Sequence, residues 1–188
     1  MNEAHLRLCA SPEWAVFVEQ ELLPWALGEF DLGADVLEVG AGPGMTTDVL
    51  RRRVAHLTAV EVDEALAASL ADRLEGTNVD VVHADGTALP FERARFDAAT
   101  CFTMLHHVPS VEAQDRLLAE VRRVLRPGGL LVGTDSTASG RLAELHEGDT
   151  YVPINPTTLA SRLESAGFCG VVVEEGEGRL RFVGRTDG

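Results

Sequence analysis

Three carboxylates and a pair of histidines are the residues of this chain whose types and placement could do chemistry. Glu38 stands two residues before the first of three alternating glycines in Val36-Leu37-Glu38-Val39-Gly40-Ala41-Gly42-Pro43-Gly44. Glu61 and Asp85 each follow a later apolar run, and His106 and His107 follow a fourth. Glycine at every second position lets the backbone turn sharply and lets a ligand approach the main chain without meeting a Cβ. A turn that cradles phosphate rarely carries a carboxylate, because the helix N-terminus behind it attracts anions. A turn that holds a cationic or amine-bearing ligand can carry one. Glu61 lies 21 residues after Gly40, about where an acidic residue accepts two hydrogen bonds from a ribose diol and repels a 2′-phosphate.

These residues need elements that bring them together. Short β-branched runs alternate with amphipathic helical stretches, the pattern of an α/β fold with a parallel sheet. Strands are predicted at Asp35–Val39, Leu57–Val62, Val79–His83, Phe96–Phe102 and Leu130–Thr134. A last pair, Gly170–Glu174 and Arg179–Val183, flanks the hairpin signal Glu175-Gly176-Glu177-Gly178. Helices are predicted over Met45–Val54, from an Asp63 cap through Leu66, Leu70 and Leu74, over Val111–Leu125, and from Asn155-Pro156 to Gly167. Pro127-Gly128-Gly129 is read as the stop of the third helix. The expected fold is a doubly wound, Rossmann-like, mostly parallel seven-stranded sheet ending in an antiparallel hairpin. In such a sheet the ligand lies beyond the carboxyl ends of the central strands, where the glycine loop, Glu61, Asp85 and the Phe102–His107 stretch converge. One domain is expected over residues 1–188. Residues 11–30, with Trp14, Phe17 and Trp25, read as a helical lid or flank, and residues 136–155, with His146, Asp149 and Tyr151, as a second lid segment.

The formal charge of −14 over 188 residues repels nucleic acid and anionic membrane, since phosphate recognition needs clustered Lys and Arg. Arg51-Arg52-Arg53 and Arg122-Arg123 fall in predicted helices and read as solvated faces. Cys9, Cys101 and Cys169 are far apart, with no Cys/His spacing of a metal site, so no metal is expected. Neither a signal peptide nor a membrane span is visible, and a cytoplasmic location is expected.

A nicotinamide dinucleotide fits the glycine loop poorly. The G-x-G-x-x-G fingerprint needs glycine where Met45 stands, Gly44 falls one residue early, and Pro43 removes a backbone N–H. The motifs instead resemble those of the class I S-adenosylmethionine-dependent methyltransferases. Glu38 to Gly44 is similar to their E/D-x-G-x-G-x-G motif and Val60-Glu61-Val62-Asp63 to their acidic second motif. His83-Ala84-Asp85-Gly86-Thr87-Ala88-Leu89-Pro90-Phe91 resembles the third. Phe96–Ala99 through Met104–Val108, and Leu118 to Gly129, resemble the region from strand four to strand five.

The resemblance implies S-adenosyl-L-methionine as cofactor. The loop Gly40, Ala41, Gly42 and Gly44 would lie against its methionine part, with Glu38 near its ammonium. Glu61 would take the ribose hydroxyls, Asp85 the adenine amine beside Gly86 and Thr87, and Val62 with Phe102 would line the purine pocket. Each also has a plainer reading: Glu38 as a brace for the loop, Asp85 as a turn former, Phe102 as core. His106 and His107 are candidates for a general base and equally for a structural role. The D/N-P-P-Y/F motif of nucleic-acid amino-methylating members is replaced by Phe102-Thr103-Met104-Leu105. A small-molecule acceptor is therefore expected, contacted by Trp14, His146 and Tyr151. A protein or RNA methyltransferase, or a non-catalytic binder of the cofactor, stays open, and the aromatic helix could instead serve a homodimer.

Overall fold

The computed structural model describes residues 2–188, and Met1 lies outside the described residues. Seven strands form one sheet: β1 (Asp35–Val39), β2 (His56–Glu61), β3 (Val79–His83), β4 (Phe96–Phe102), β5 (Leu125–Ser136), β6 (Cys169–Gly176) and β7 (Arg179–Arg185). Their order is β3-β2-β1-β4-β5-β7-β6. The first five strands are parallel, and β7 inserts antiparallel between β5 and β6. The expected doubly wound sheet is therefore what forms. Strand order reverses between β1 and β4, which is where a crevice opens in such sheets.

The central strands are buried on both faces, which is why they read as nearly continuous apolar runs. Leu37 and Val39 of β1 pack in one layer with Leu117 and Leu118 of α6 (Val111–Val124) and Leu159 and Leu163 of α8 (Pro156–Ser165). Val36, one residue over and so on the other face, packs with Val49 and Leu50 of α4 (Met45–Leu50) and with the N-terminal helices. The remaining helix against β2 and β3 is α5 (Glu64–Leu74), capped as expected by Asp63, whose Oδ1 accepts from the N–H groups of Ala65 and Leu66.

Several boundaries differ from the sequence reading. Helix α4 stops at Leu50 rather than Val54, because the Asn78 side chain takes the carbonyls of Arg51 and Val54 in 2.9 Å hydrogen bonds. Pro127-Gly128-Gly129 does not stop α6, which already ends at Val124. It forms a bulge inside β5, where pairing with β4 jumps from Phe96↔Leu125 to Ala98↔Leu130. Asp97 holds that bulge: its carboxylate pairs with Arg126 and also accepts the N–H groups of Ala34 and Asp35 at 2.9 Å.

The N-terminal helical segment is broken into α2 (Pro12–Phe17), a widened π turn (Val18–Leu22) and α3 (Leu23–Leu27). Pro24 has no N–H to continue the ladder, and Leu23 N–H reaches back to Val18 instead. Two short helices had no periodic signal: α1 (Glu3–Cys9) and α7 (Gly140–Leu145).

Candidate active site

The glycine loop turns in the left-handed region, with φ of +78°, +53° and +90° at Gly40, Gly42 and Gly44. At Gly40 a Cβ would stand 2.7 Å from Met104 Cβ, and at Gly44 it would stand 2.4 Å from Leu70 Cδ1. The first glycine therefore admits the chain segment after β4, and the third admits α5. The loop's donors are already spent. Gly40 and Ala41 donate to the Val60 carbonyl, Gly44 donates to the Ala41 carbonyl, and Gly42 donates to Glu61 Oε2 at 2.7 Å. Pro43 has no N–H to give. A phosphate would find few partners here, which bears out the sequence argument against a dinucleotide.

Glu38 is 1% exposed and lies behind the loop, not in the crevice. Its carboxylate accepts from the hydroxyls of Thr46 and of Thr47 in the first turn of α4, the latter at 2.6 Å. Of the two readings of Glu38, the structure supports the brace. Burial pushes its carboxyl up to about 7, against the two threonine hydrogen bonds that pull it down. A raised carboxyl stabilises the fold while protonated, so this contribution is complete below the ordinary glutamate range and fades as pH rises through about 7. A displacement from 4.5 to about 7 corresponds to roughly 3 kcal/mol. Glu38→Gln is expected to flatten the melting temperature between pH 5 and pH 8.5, measured by calorimetry, whereas the parent loses stability across that range. Parallel slopes in the two proteins would rule this out.

Beyond the strand ends lies a crevice of about 580 Å³. Gly40, Ala41, Gly42, Glu61, Val62, Asp85, Gly86, Thr87 and Phe102 all line it, as does Trp14; Gly44 does not. Glu61 is nearly buried, and its two oxygens accept from Gly42 N and Asp63 N, at 2.7 and 2.9 Å. Each oxygen has capacity for a further hydrogen bond, and Glu61 lines the crevice. Val62 is 64% exposed, more than any other large apolar residue described, and offers a bare apolar surface at the crevice edge. Asp85 is exposed, and its Oδ1 accepts from Thr87 N at 2.8 Å, so it forms the turn as well as facing the cavity. The acidic lining residues are Glu61, Asp63, Asp85 and Asp149, against a single arginine, Arg116. Such a cavity favours a cationic ligand.

The other expected contacts divide. Phe17 and Trp25 do not line the crevice; Arg179 stacks over both rings, at 5.4 and 5.0 Å. His107 borders the cavity, but His106, His146 and Tyr151 stand outside its lining. His106 is 3% exposed, with its Nδ1 2.6 Å from Asp135 Oδ1. Burial and the neighbouring histidines hold the His107 imidazole down to about 3, which leaves it a feeble proton acceptor near neutrality.

His5 and Cys9 of α1 were not among the expected site residues, yet both line the crevice. No periodicity announces so short a helix. Its position is set by Asn2, whose Nδ2 donates to Leu145 O and whose N–H donates to Asp149 Oδ2. As a result His5, His106, His107 and His146 gather into one cluster that their sequence spacing concealed.

Comparison with known proteins agrees with this geometry. Residues 37–133 match the methyltransferase domain family. The ubiquinone biosynthesis O-methyltransferase of Xylella fastidiosa is 33% identical over 177 residues, covering 82% of this chain and 71% of that protein. Among solved structures, the DhpI–SAH complex superposes with a TM-score of 0.73 at 25% identity, over 98% of this chain and 96% of that one. The PH0226 protein of Pyrococcus horikoshii, at 18% identity, shares the fold with a TM-score of 0.78 over 95% and 94% of the two chains. With the glycine loop, the acidic strand tips and these relatives together, the chain belongs to the S-adenosylmethionine-dependent methyltransferases.

Proposed function

We propose that this methyltransferase acts on a small molecule and binds both donor and acceptor in the crevice above β1 and β4. The observation that carries this reading is an acidic crevice of about 580 Å³, within the size range of small-molecule sites. Residues 1–188 act as one domain, with α2 as the flank that brings Trp14 to the mouth and residues 136–155 as the lid. The charge of −14 speaks against a nucleic-acid acceptor. An oxygen acceptor on an aromatic or quinol-like ring is the first class to try, since the Xylella fastidiosa relative is named an O-methyltransferase of ubiquinone biosynthesis.

In this reading Glu61 would accept the ribose hydroxyls, Val62 and Phe102 would line the purine pocket, and Asp85 would accept the adenine amine. Gly40 and Ala41 let the methionine end lie flat on the loop that Glu38 braces from behind. Bound donor would supply a methyl group on a sulfonium for in-line displacement: the acceptor oxygen bonds to carbon as the carbon–sulfur bond breaks, the electron pair stays on sulfur, and the hydroxyl proton passes to water at the open mouth of the crevice. Positive charge disperses in that step, so alignment supplies most of what the protein must contribute. Neither His106 nor His107 is needed as a base: the first is tied to Asp135 away from the cavity, and the second is too weakly basic.

Asp85→Ala is expected to weaken donor binding by about 1–3 kcal/mol, the cost of leaving a hydrogen-bonding partner unpaired. Titration calorimetry with S-adenosylmethionine reads this directly, and unchanged affinity would place the adenine elsewhere. The function itself is tested by incubating the protein with methyl-labelled donor and a small-molecule extract. The expected product is a metabolite heavier by one CH₂. Label appearing only in protein or RNA would overturn the reading.

A further inference from the structure

Four of the chain's six histidines, His5, His106, His107 and His146, stand together with one ring nitrogen of each within 4.8 Å of the others. They come from three places: α1, the turn after β4, and the end of α7. Three of the four are buried at 6% exposure or less. Each keeps one buried nitrogen with no hydrogen-bond partner, namely His5 Nδ1 and the Nε2 atoms of His106, His107 and His146. Buried polar atoms are nearly always satisfied, so four orphans in one cluster call for a common partner.

The protonation pattern indicates what that partner is. The Leu142 carbonyl 2.6 Å from His146 Nδ1 can only accept, so that nitrogen carries the hydrogen. The Asp135 carboxylate fixes the hydrogen on His106 Nδ1 in the same way. In the neutral rings the opposite atoms, both Nε2, are then bare lone pairs in a closed space. Lone pairs facing one another without a donor repel; a cation among them removes the conflict. A histidine whose far nitrogen donates to a carboxylate or carbonyl is also the usual arrangement around a bound metal. Imidazole-only donor sets suit late first-row divalent ions.

We propose that His5, His106, His107 and His146 bind a divalent transition-metal ion such as Zn²⁺, oriented by Asp135 and the Leu142 carbonyl. A zinc shell has Zn–N distances near 2.0–2.1 Å, which places its nitrogens about 3.4 Å apart, so binding draws the four rings inward. His5 and His107 also line the crevice, and the ion therefore sits in the wall against which the acceptor would lie. It ties α1 and the segment after α7 to the strand-four turn, beside the Asn2 hydrogen bonds to Leu145, Glu147 and Asp149 and the Val152 N–H on the His106 carbonyl.

The test is metal binding to the full chain after chelator treatment, with Co²⁺ followed by its visible absorption and Zn²⁺ by calorimetry. The expected result is one ion per chain and a thermal midpoint raised by Zn²⁺. Affinity should fall at least a hundredfold in His146→Ala and in His5→Ala, and about 10–100-fold in Asp135→Asn. His56 and His83 are exposed and outside the cluster, and they remain in every variant, so adventitious surface binding persists and is recognised. Circular dichroism of each variant reports an intact fold, and donor affinity is measured alongside it. No saturable one-to-one binding of Zn²⁺ or Co²⁺, or equal affinity in parent and both alanine variants, overturns the proposal. Because donor binding is measured separately, that failure would leave the methyl-transfer reading standing.

Discussion

Glu61→Ala is expected to weaken S-adenosylmethionine binding by about 2–4 kcal/mol, a loss of roughly 30- to 1,000-fold. Two effects add. In the proposed complex the carboxylate accepts the ribose hydroxyls, and hydrogen bonds to a charged acceptor are worth about 1.5–3 kcal/mol. The same two oxygens also hold Gly42 N and Asp63 N, so truncation leaves a buried loop donor without a partner and loosens the turn that faces the methionine. Glu61→Gln separates these effects. Its amide oxygen can keep Gly42, but the NH₂ group then faces Asp63 N–H, donor to donor, and the charge is gone. An intermediate loss is expected for Gln and the full loss for Ala, both by titration calorimetry. If both variants bind the donor as the parent does, the ribose does not sit at the end of β2.

The elements that position this site were largely legible in the residues. β1, β3 and β4 begin and end where the β-branched runs and their bounding turns place them, and in the central strands β1 and β4 burial leaves little polar noise in the sequence. Nine of the expected donor-site residues, from Gly40 to Phe102, do line one crevice, since each ends a strand or opens the loop after it. What the residues concealed depends on tertiary contact. Glu38 has the composition of a ligand contact but the position of a brace, and only the distance to Thr46 and Thr47 distinguishes the two. Pro127-Gly128-Gly129 carries every local sign of a helix stop, yet Arg126 bound to Asp97 holds it as a bulge in an extended strand. His5 and His146 meet across 141 residues of chain because Asn2 grips the turn after α7. No spacing rule sees such a contact.

Gly40→Ala is expected to be strongly destabilising, and it should act on stability before it acts on chemistry. An L-residue at φ of +78° costs about 1–2 kcal/mol relative to glycine. The added Cβ would also stand 2.7 Å from Met104 Cβ and 2.8 Å from its Cγ. Those atoms lie close to the backbone of the segment after β4 and cannot swing aside as the tip of a side chain would. Overpacking of that kind costs about 1–3 kcal/mol more. The sum, roughly 2–5 kcal/mol, is a large fraction of a typical domain stability. Gly76→Ala provides the control. Its φ is +76° and a Cβ there meets nothing within 4 Å, so it should show the conformational cost alone. Urea denaturation of the two variants then isolates the steric part at Gly40 as the difference between them. Equal losses would mean that Met104 yields freely, and the tight seam between the glycine loop and the turn bearing the histidines would not exist.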